Sequence, residues 1–496
     1  MTGVVTREEP VATSGISTPV TPPRHAGASR PPSLDTLFTL LFALAGWILG
    51  FRQLGDNSFL WHLRTGRLIL ANGVPHADPY SFTVPGAKWI AQSWLAELAY
   101  GVADKAAGGF GVRVLVALTA SAFVVGAYRL ALRVSGNRVR AAGLMTVVLA
   151  TMLNVWSERP LLFGLAAIVA LVWAVEVPES FLGRHLMISI PVTMWCWANV
   201  HGSFELGYVY LALHVIGRWA DGDRPTTGRE RQLVIATLVS VAALLVNPYG
   251  FGLVLFPIDL LRRGSVLNTV SEWQSPNFRE LGGMIYGLWL GAVVLLLVHR
   301  KPSRRDLIVT LPFLFLGLWA IRNVGIAALV TLPVAGRAWV GGRTRDDARL
   351  RLGWAFVGLF VLCGAMRLSA AASEPDFDLH KYPVAAMHQL DRRGLLGARL
   401  YTTDAWAGYT IWRYWPQQHV FMDDRYDMYP KSVVDDYDTI ANVSPKWSAT
   451  LDRWRIDVVL WPRQRSLSQV LAEDTNWSRV YADKTAVVFV RNHATN

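Results

Sequence analysis

One carboxylate, Asp56, opens a polar and aromatic segment, DNSFLWHLRTGRLILANGVPHADPYSFTVPGAKWIAQSWL (residues 56–95), in a chain that is otherwise mostly apolar. A carboxylate at a bilayer surface suits general-base work on a hydroxyl, because it needs only to reach the hydroxyl and accept its proton in the transition state. Partial desolvation there raises its basicity. At the end of an apolar run, Asp56 also reads as a helix cap. Asp78, in PHADPYSF, is either a second carboxylate or a turn former ahead of Pro79. Glu158 and Arg159 stand side by side, and Arg52 and Arg322 lie at the ends of other apolar runs. Charges at such depth are costly and default to function. A guanidinium binds phosphate oxygens in pairs, and the bland alternative is snorkelling to lipid headgroups. Asn199 and His201, in WANVHGSFELG, and His62, beside Trp61, either hydrogen-bond a phosphate or sugar or simply pack. Trp61, Trp89 and Trp273 are candidates to stack on sugar faces. The histidines are scattered with no metal-ligand spacing, so they define no metal site.

What must position these residues is a membrane bundle. The chain has 496 residues, is 52% hydrophobic and only 17% charged, and has a mean hydropathy of +0.29. Soluble domains carry roughly 25% charge. Apolar runs recur near 34–51, 110–132, 140–155, 160–177, 185–200, 203–219, 233–247, 283–299, 306–321, 324–340 and 352–371, about eleven in all and each of a length to cross a bilayer. The expected fold class is therefore mainly α, a polytopic transmembrane helical bundle. The net charge of +12 marks cytoplasmic loops and not a nucleic-acid partner. Cys196 and Cys363 lie inside apolar runs, which argues against a structural disulfide. The Pro-, Thr-, Ser- and Gly-rich tail 1–33 is expected to be disordered and cytoplasmic, and does not read as a cleaved signal peptide.

With the N-terminus inside, loops 133–139, 178–184, 220–232, 300–305 and 341–351 face the cytoplasm, and every one carries Arg or Lys. That count requires 89–107 to be an interfacial helix and not a crossing. Segment 249–262 is apolar but short, and reads as re-entrant or interfacial. The same count sends Asp56, Asp78, Glu158, Arg159, Asn199, His201, Asn247–Pro248–Tyr249, Glu272–Trp273 and Arg322 to the outer face.

After about residue 372 the chain loses its apolar runs. Strand-like stretches at Ala398–Tyr401, His419–Met422, Val458–Trp461 and Thr485–Val490 alternate with helical ones at Ala405–Tyr414, Ser432–Ala441, Lys446–Arg453 and Ser466–Ala472. This alternation predicts an extracytoplasmic α/β domain over 373–496, following a transmembrane domain over 34–372 whose outer loop is 52–109. MDDRYDMYP, residues 422–430, places Asp423, Asp424, Arg425 and Asp427 either against a substrate or at a strand–loop junction. Asp435, Asp436 and Asp438 read as a solvated helix face.

This arrangement resembles the GT-C superfamily of membrane glycosyltransferases, in the branch of the protein O-mannosyltransferases and the lipid A aminoarabinose transferase. The residues that carry the resemblance are Asp56, Trp61, Gly66, Gly73, Pro75, Gly86, Trp89 and Trp94–Leu95. The family's paired acids stand here as Asp56–Asn57, and its double proline as Gln92–Ser93. The whole chain is also similar to a bacterial group of multi-span membrane proteins with an outer α/β tail. The GT-C resemblance implies inverting transfer of a sugar from a polyprenyl-phosphate donor, with the loop carboxylate as base. The acceptor would be a glycan, lipid or protein of the cell envelope, on the outer face of the inner or plasma membrane. Either arginines or a divalent cation would neutralise the leaving phosphate. The competing readings are a non-catalytic envelope scaffold or lipid-binding protein, favoured by the missing second acid, and a transporter. The transporter ranks last because no inverted repeat is evident.

Overall fold

Apolar runs closed by short polar caps build the first helices. Ser33 accepts the Thr36 N–H (3.2 Å) to start α1, Leu34–Gly50. Asp56 accepts the Phe59 N–H (3.1 Å) to start α2, Asn57–Asn72. The structure, a computed structural model, describes residues 1–6, 30–153, 156–264, 270–339, 341–345 and 348–492. Most of the expected disordered tail, residues 7–29, lies outside the described residues.

The longest helix, α3, runs Trp94–Ser135 with non-helical backbone at Ala107 and Gly108. The expected interfacial helix is its first half. It begins at Trp94 and not at Trp89, because residues 88–91 are spent on other contacts: Lys88 bridges Ala77 in the loop before it, and the Ala91 N–H donates to the Tyr249 hydroxyl. Gly136 ends α3 in the left-handed region (φ 60°), and Asn137 caps α4, Arg138–Thr151. Helices α5 (Leu161–Glu176), α6 (Phe181–Arg184), α7 (Leu186–Val200), α8 (Glu205–Ala220), α9 (Gly228–Ala243) and α10 (Phe251–Arg262) follow. Next come α11 (Leu281–His299), α12 (Arg304–Trp319), α13 (Val324–Ala338) and α14 (Gly353–Ser373). Helix α10, in the segment expected to be re-entrant or interfacial, has 12 residues with Pro257 inside. At 1.5 Å per residue that is about 18 Å, short of a hydrocarbon core of about 30 Å.

Among the described residues, Trp94–Ser135, Leu281–His299 and Gly353–Ser373 are long and apolar enough to cross a membrane. Leu34–Gly50, Leu161–Glu176 and Leu186–Val200 are shorter apolar helices. Helix α13 is buried on every side and forms the centre of the bundle, packed on α3, α4, α5, α11 and α12. Helices α1 and α2 lie along α3. Small residues make both crossings close. A Cβ on Gly50 would stand 2.7 Å from the Ala117 Cα, and one on Gly66 only 2.0 Å from the Glu97 carbonyl oxygen.

The C-terminal region forms one four-stranded sheet in the order β1 (Leu400–Thr402), β2 (Val458–Pro462), β4 (Ala486–Arg491), β3 (Trp477–Ala482). Strand β1 runs parallel to β2, with Leu400 opposite Val458. The other pairs are antiparallel, with Val458 opposite Val490 and Trp477 opposite Arg491. Helices α15 (Val384–Arg392), α16 (Asp404–Tyr414), α17 (Lys431–Ala441), α18 (Trp447–Arg453) and α19 (Ser466–Glu473) surround it. The expected strand at His419–Met422 is not one. Val420 only bridges Ser81 and Leu400, because its neighbours are spent on packing against the loop after α2. Trp61, Tyr80, Trp89 and Ala91 thus share an apolar cluster with Tyr401, Phe421 and Val459.

The close crossing of α1 on α3 is testable. Replacing Gly50→Leu forces side-chain atoms into the α3 backbone, at an overpacking cost of roughly 1–3 kcal/mol. The melting midpoint of the purified protein in detergent should fall. An unchanged midpoint would mean that α1 slides off α3 without loss.

Candidate active site

Three connected parts meet at the start of α2. The first is the turn that holds Asp56. One Glu158 oxygen, Oε1, accepts the Gly55 and Asp56 N–H groups (2.6 and 2.8 Å). Next in sequence, Arg159 donates Nε–H to Asp56 Oδ1 (2.8 Å) and also pairs with Glu272. Asp56 is therefore both the cap of α2 and the partner of Arg159. Its Oδ1 makes both bonds.

The second part is a cation stacked on an aromatic ring. Arg322 lies half-buried at the start of α13, its guanidinium 4.4 Å from the centre of the Trp273 ring. Among the described residues it makes no ion pair with a carboxylate. His201 follows α7 and bonds the Ser203 hydroxyl (2.8 Å). Burial, then the fields of Arg322 and Arg159, hold its imidazole neutral, with a pKa down to about 3. Trp273 also lines an open cleft of about 590 Å³ with Gln274, Ser275, Phe315, Leu318 and Trp319.

The third part comes from the C-terminal region. Arg425 is buried and binds Asp78 (2.7 Å) and both oxygens of Asp423 (2.8 and 2.7 Å). The rings of Trp89, Tyr80 and Trp61 surround its guanidinium, with centroids 4.5, 5.0 and 5.7 Å away. Asp78 also accepts the Tyr80 and Ser81 N–H groups (3.1 and 3.0 Å), so the turn reading and the charged reading hold together. Between the two triad residues, Asp424 turns the other way. It accepts from Asn57 Nδ2 (3.0 Å), Trp61 Nε1 (2.6 Å) and the Ser58 hydroxyl. Burial pushes its carboxyl up to about 7; Arg159 opposes this, Asp423 adds to it, the Ser58 bond opposes it and Asp56 adds to it.

The structure brings Asp56, Glu158, Arg159, His201, Trp273 and Arg322 to one end of the bundle. Other candidates have different surroundings. Trp61 and Trp89 are 7% and 2% exposed, so neither offers a free face to a sugar. His62 bonds Glu97 (2.7 Å) inside the protein. Burial raises Glu97 to about 8 and lowers His62 well below 6.5, which makes this a neutral hydrogen bond at neutral pH. Asn199 is buried and binds Trp94 Nε1 (2.6 Å) and the Trp195 carbonyl. Arg52 binds the Trp156 carbonyl (2.5 Å). The sequence reading left out Ser58, whose partner Asp424 lies 366 residues along the chain, and the interfacial-helix reading gave Glu97 a headgroup position, whereas it is buried against His62 of the preceding helix. Among the described residues no cluster of three or more His, Cys, Asp or Glu could hold a metal ion.

No protein-family model and no curated protein sequence matches the chain. Solved structures do. The archaeal oligosaccharyltransferase AglB from Archaeoglobus fulgidus, in complex with an inhibitory peptide and a dolichol-phosphate, is similar at a TM-score of 0.50 and 10% identity, over 86% of this chain and 70% of that one. ArnT from Cupriavidus metallidurans bound to undecaprenyl phosphate is similar at a TM-score of 0.48 and 14% identity, over 93% of this chain and 98% of that one. The AglB likeness shows that the chain shares the fold of that structure.

The buried triad predicts a docking defect. In Arg425→Met the volume is kept, but Asp78 and Asp423 are left without a cation, at a cost of about 3–5 kcal/mol. Hydrogen exchange should speed up together in 76–93 and 420–430. Protection equal to wild type in both segments would show that the triad does not hold them.

Proposed function

We propose that the protein is a membrane glycosyltransferase that moves a sugar from a polyprenyl-phosphate carrier to a cell-envelope acceptor. The observation that carries this is Arg322. It is a half-buried cation stacked on Trp273, without a carboxylate partner among the described residues, beside Arg159 and at the edge of an aromatic-walled cleft. That combination suits a phosphate with an apolar tail: the guanidinium takes the charge, and the cleft takes isoprenoid. The fold shared with AglB supports it, and AglB was solved with a dolichol-phosphate.

In the proposed reaction an acceptor oxygen attacks the sugar C1 from the face opposite the phosphate. The C1–O bond to phosphate breaks, and its electron pair leaves with the lipid phosphate. The acceptor proton passes to a carboxylate beside the first turn of α2, where Asp56 and Asp424 both stand. Arg159 and Arg322 offset the charge that develops on the leaving phosphate. Asp56 is central in either of two ways, as the base toward the acceptor or as the holder of Arg159. The proposed topology has about eleven crossings, a cytoplasmic N-terminus and the C-terminal α/β domain on the outer face, as the basic loops require. The second reading is a scaffold that binds lipid phosphate without turnover. The engagement of Asp56 by both Arg159 and the Phe59 N–H favours it.

Membranes carrying the protein should transfer radiolabel from a polyprenyl-phosphate sugar, and Asp56→Ala at matched expression should lose at least ~100-fold. Arg322→Ala should weaken binding of undecaprenyl phosphate by roughly tenfold or more, the worth of a charge-assisted hydrogen bond. Equal transfer by wild type and Asp56→Ala would remove Asp56 from the mechanism. Lipid-phosphate binding without transfer from any donor would favour the scaffold.

A further inference from the structure

The destination of the acceptor proton is open in that reading, and the geometry separates two carboxylates. Asp56 is in contact with a cation, Arg159, at 2.8 Å. The same oxygen also accepts the Phe59 N–H, so Asp56 Oδ1 is committed to holding Arg159 and the first turn of α2. Asp424 is different. Its three donors are neutral: the Asn57 amide, the Ser58 hydroxyl and the Trp61 indole. A carboxylate has about four lone-pair sites, so one is left. Oδ2 takes two of the donors and Oδ1 only Trp61, which places the open site on Oδ1.

The charged groups that face Asp424 come from three elements. Arg159 precedes α5, Asp56 caps α2, and Asp423 is its own chain neighbour. The cation is committed to Asp56 and Glu272. Asp423 is committed to Arg425. Asp424 is thus a half-buried carboxylate without a contacting cation, aimed at the turn where Asp56 and Arg159 meet.

We propose that Asp424 is the catalytic residue that takes the proton from the acceptor, so that the C-terminal region supplies part of the active centre while Asp56 positions Arg159 on the donor phosphate. This rests on the glycosyltransferase reading. As the acceptor oxygen bonds to C1, its proton moves to Asp424 Oδ1 and the C1–phosphate bond breaks. Lipid phosphate leaves with the electron pair, and Asp424 later returns the proton to water. The carboxyl pKa of about 7 supports the role, since a base is most effective with its pKa near the working pH. The sign follows: the carboxylate is present above that pKa, so activity falls as pH drops through it.

The full-length protein in membranes tests this, with radiolabelled polyprenyl-phosphate hexoses and pentoses as donors and fluorescent undecaprenyl phosphate as binding probe. In Asp424→Asn, kcat should fall at least ~100-fold while lipid-phosphate binding stays within about twofold. Ser58→Ala removes a hydrogen bond that favours the charged carboxyl, and should move the acid limb of the pH–rate profile upward by about one unit. A merely structural contact would not shift that limb, and Ser58→Ala serves if Asp424→Asn does not fold. Transfer by wild type with normal kcat in Asp424→Asn, or with an unmoved acid limb in Ser58→Ala, would overturn the role of Asp424 alone. Absence of transfer by wild type from every donor would overturn the glycosyltransferase reading and this inference with it.

Discussion

Arg425 between Asp78 and Asp423 is the contact on which the site depends. One cation is buried with two carboxylates, and three aromatic rings close over it. Desolvation offsets much of the Coulomb attraction in such a cluster, so its net worth to stability is small. Its worth is in selection. Sliding the C-terminal region by one residue over the loop after α2 would leave a buried charge unpaired, and that penalty fixes one docking geometry. Asp424 sits between the two residues of the triad. With Asp423 and Arg425 locked toward Asp78, its carboxylate points to the first turn of α2.

The other side of that turn is held by two consecutive residues. Glu158 takes the backbone of Gly55 and Asp56, and Arg159 takes the Asp56 side chain. Tyr382 binds the Gly55 carbonyl (2.8 Å), and Leu54 exchanges backbone bonds with residues 376 and 378. A turn gripped by backbone bonds on both faces is rigid, which is what a reacting group needs to hold its geometry.

The helical class and most C-terminal helices were legible because apolar spacing decides them. Lys446–Arg453 and Ser466–Ala472, for instance, differ from the observed helices by a residue at an end. Strand β3 was not legible: one face is exposed and Ser478, Arg479 and Ala482 give it no apolar alternation. His419–Met422 misled for the opposite reason. Its apolar side chains are buried, but by a loop and not by a sheet. Asp56, Arg159 and Arg322 could be named because charges near apolar runs stand out. Trp61 and Trp89 could be named too, but no spacing in the sequence says that a distant arginine covers their faces. The pairing of Arg425 with Asp78 spans 347 residues, and only the fold shows it.

Asn57 links these observations. Its position, where the GT-C resemblance places a second acid, carries an amide that donates to Asp424 (3.0 Å). A local carboxylate beside Asp56 would repel Asp424. An amide attracts it. The exchange of acceptor for donor at one position therefore makes room for a carboxylate brought from 367 residues away. On the proposed mechanism, the centre exists only while the C-terminal region is docked. Two members of the ion triad that fixes docking, Asp423 and Arg425, then flank the carboxylate that takes the proton. Docking and chemistry are therefore coupled in such a chain, because the residues that hold the C-terminal region to Asp78 stand on either side of the one that reaches α2.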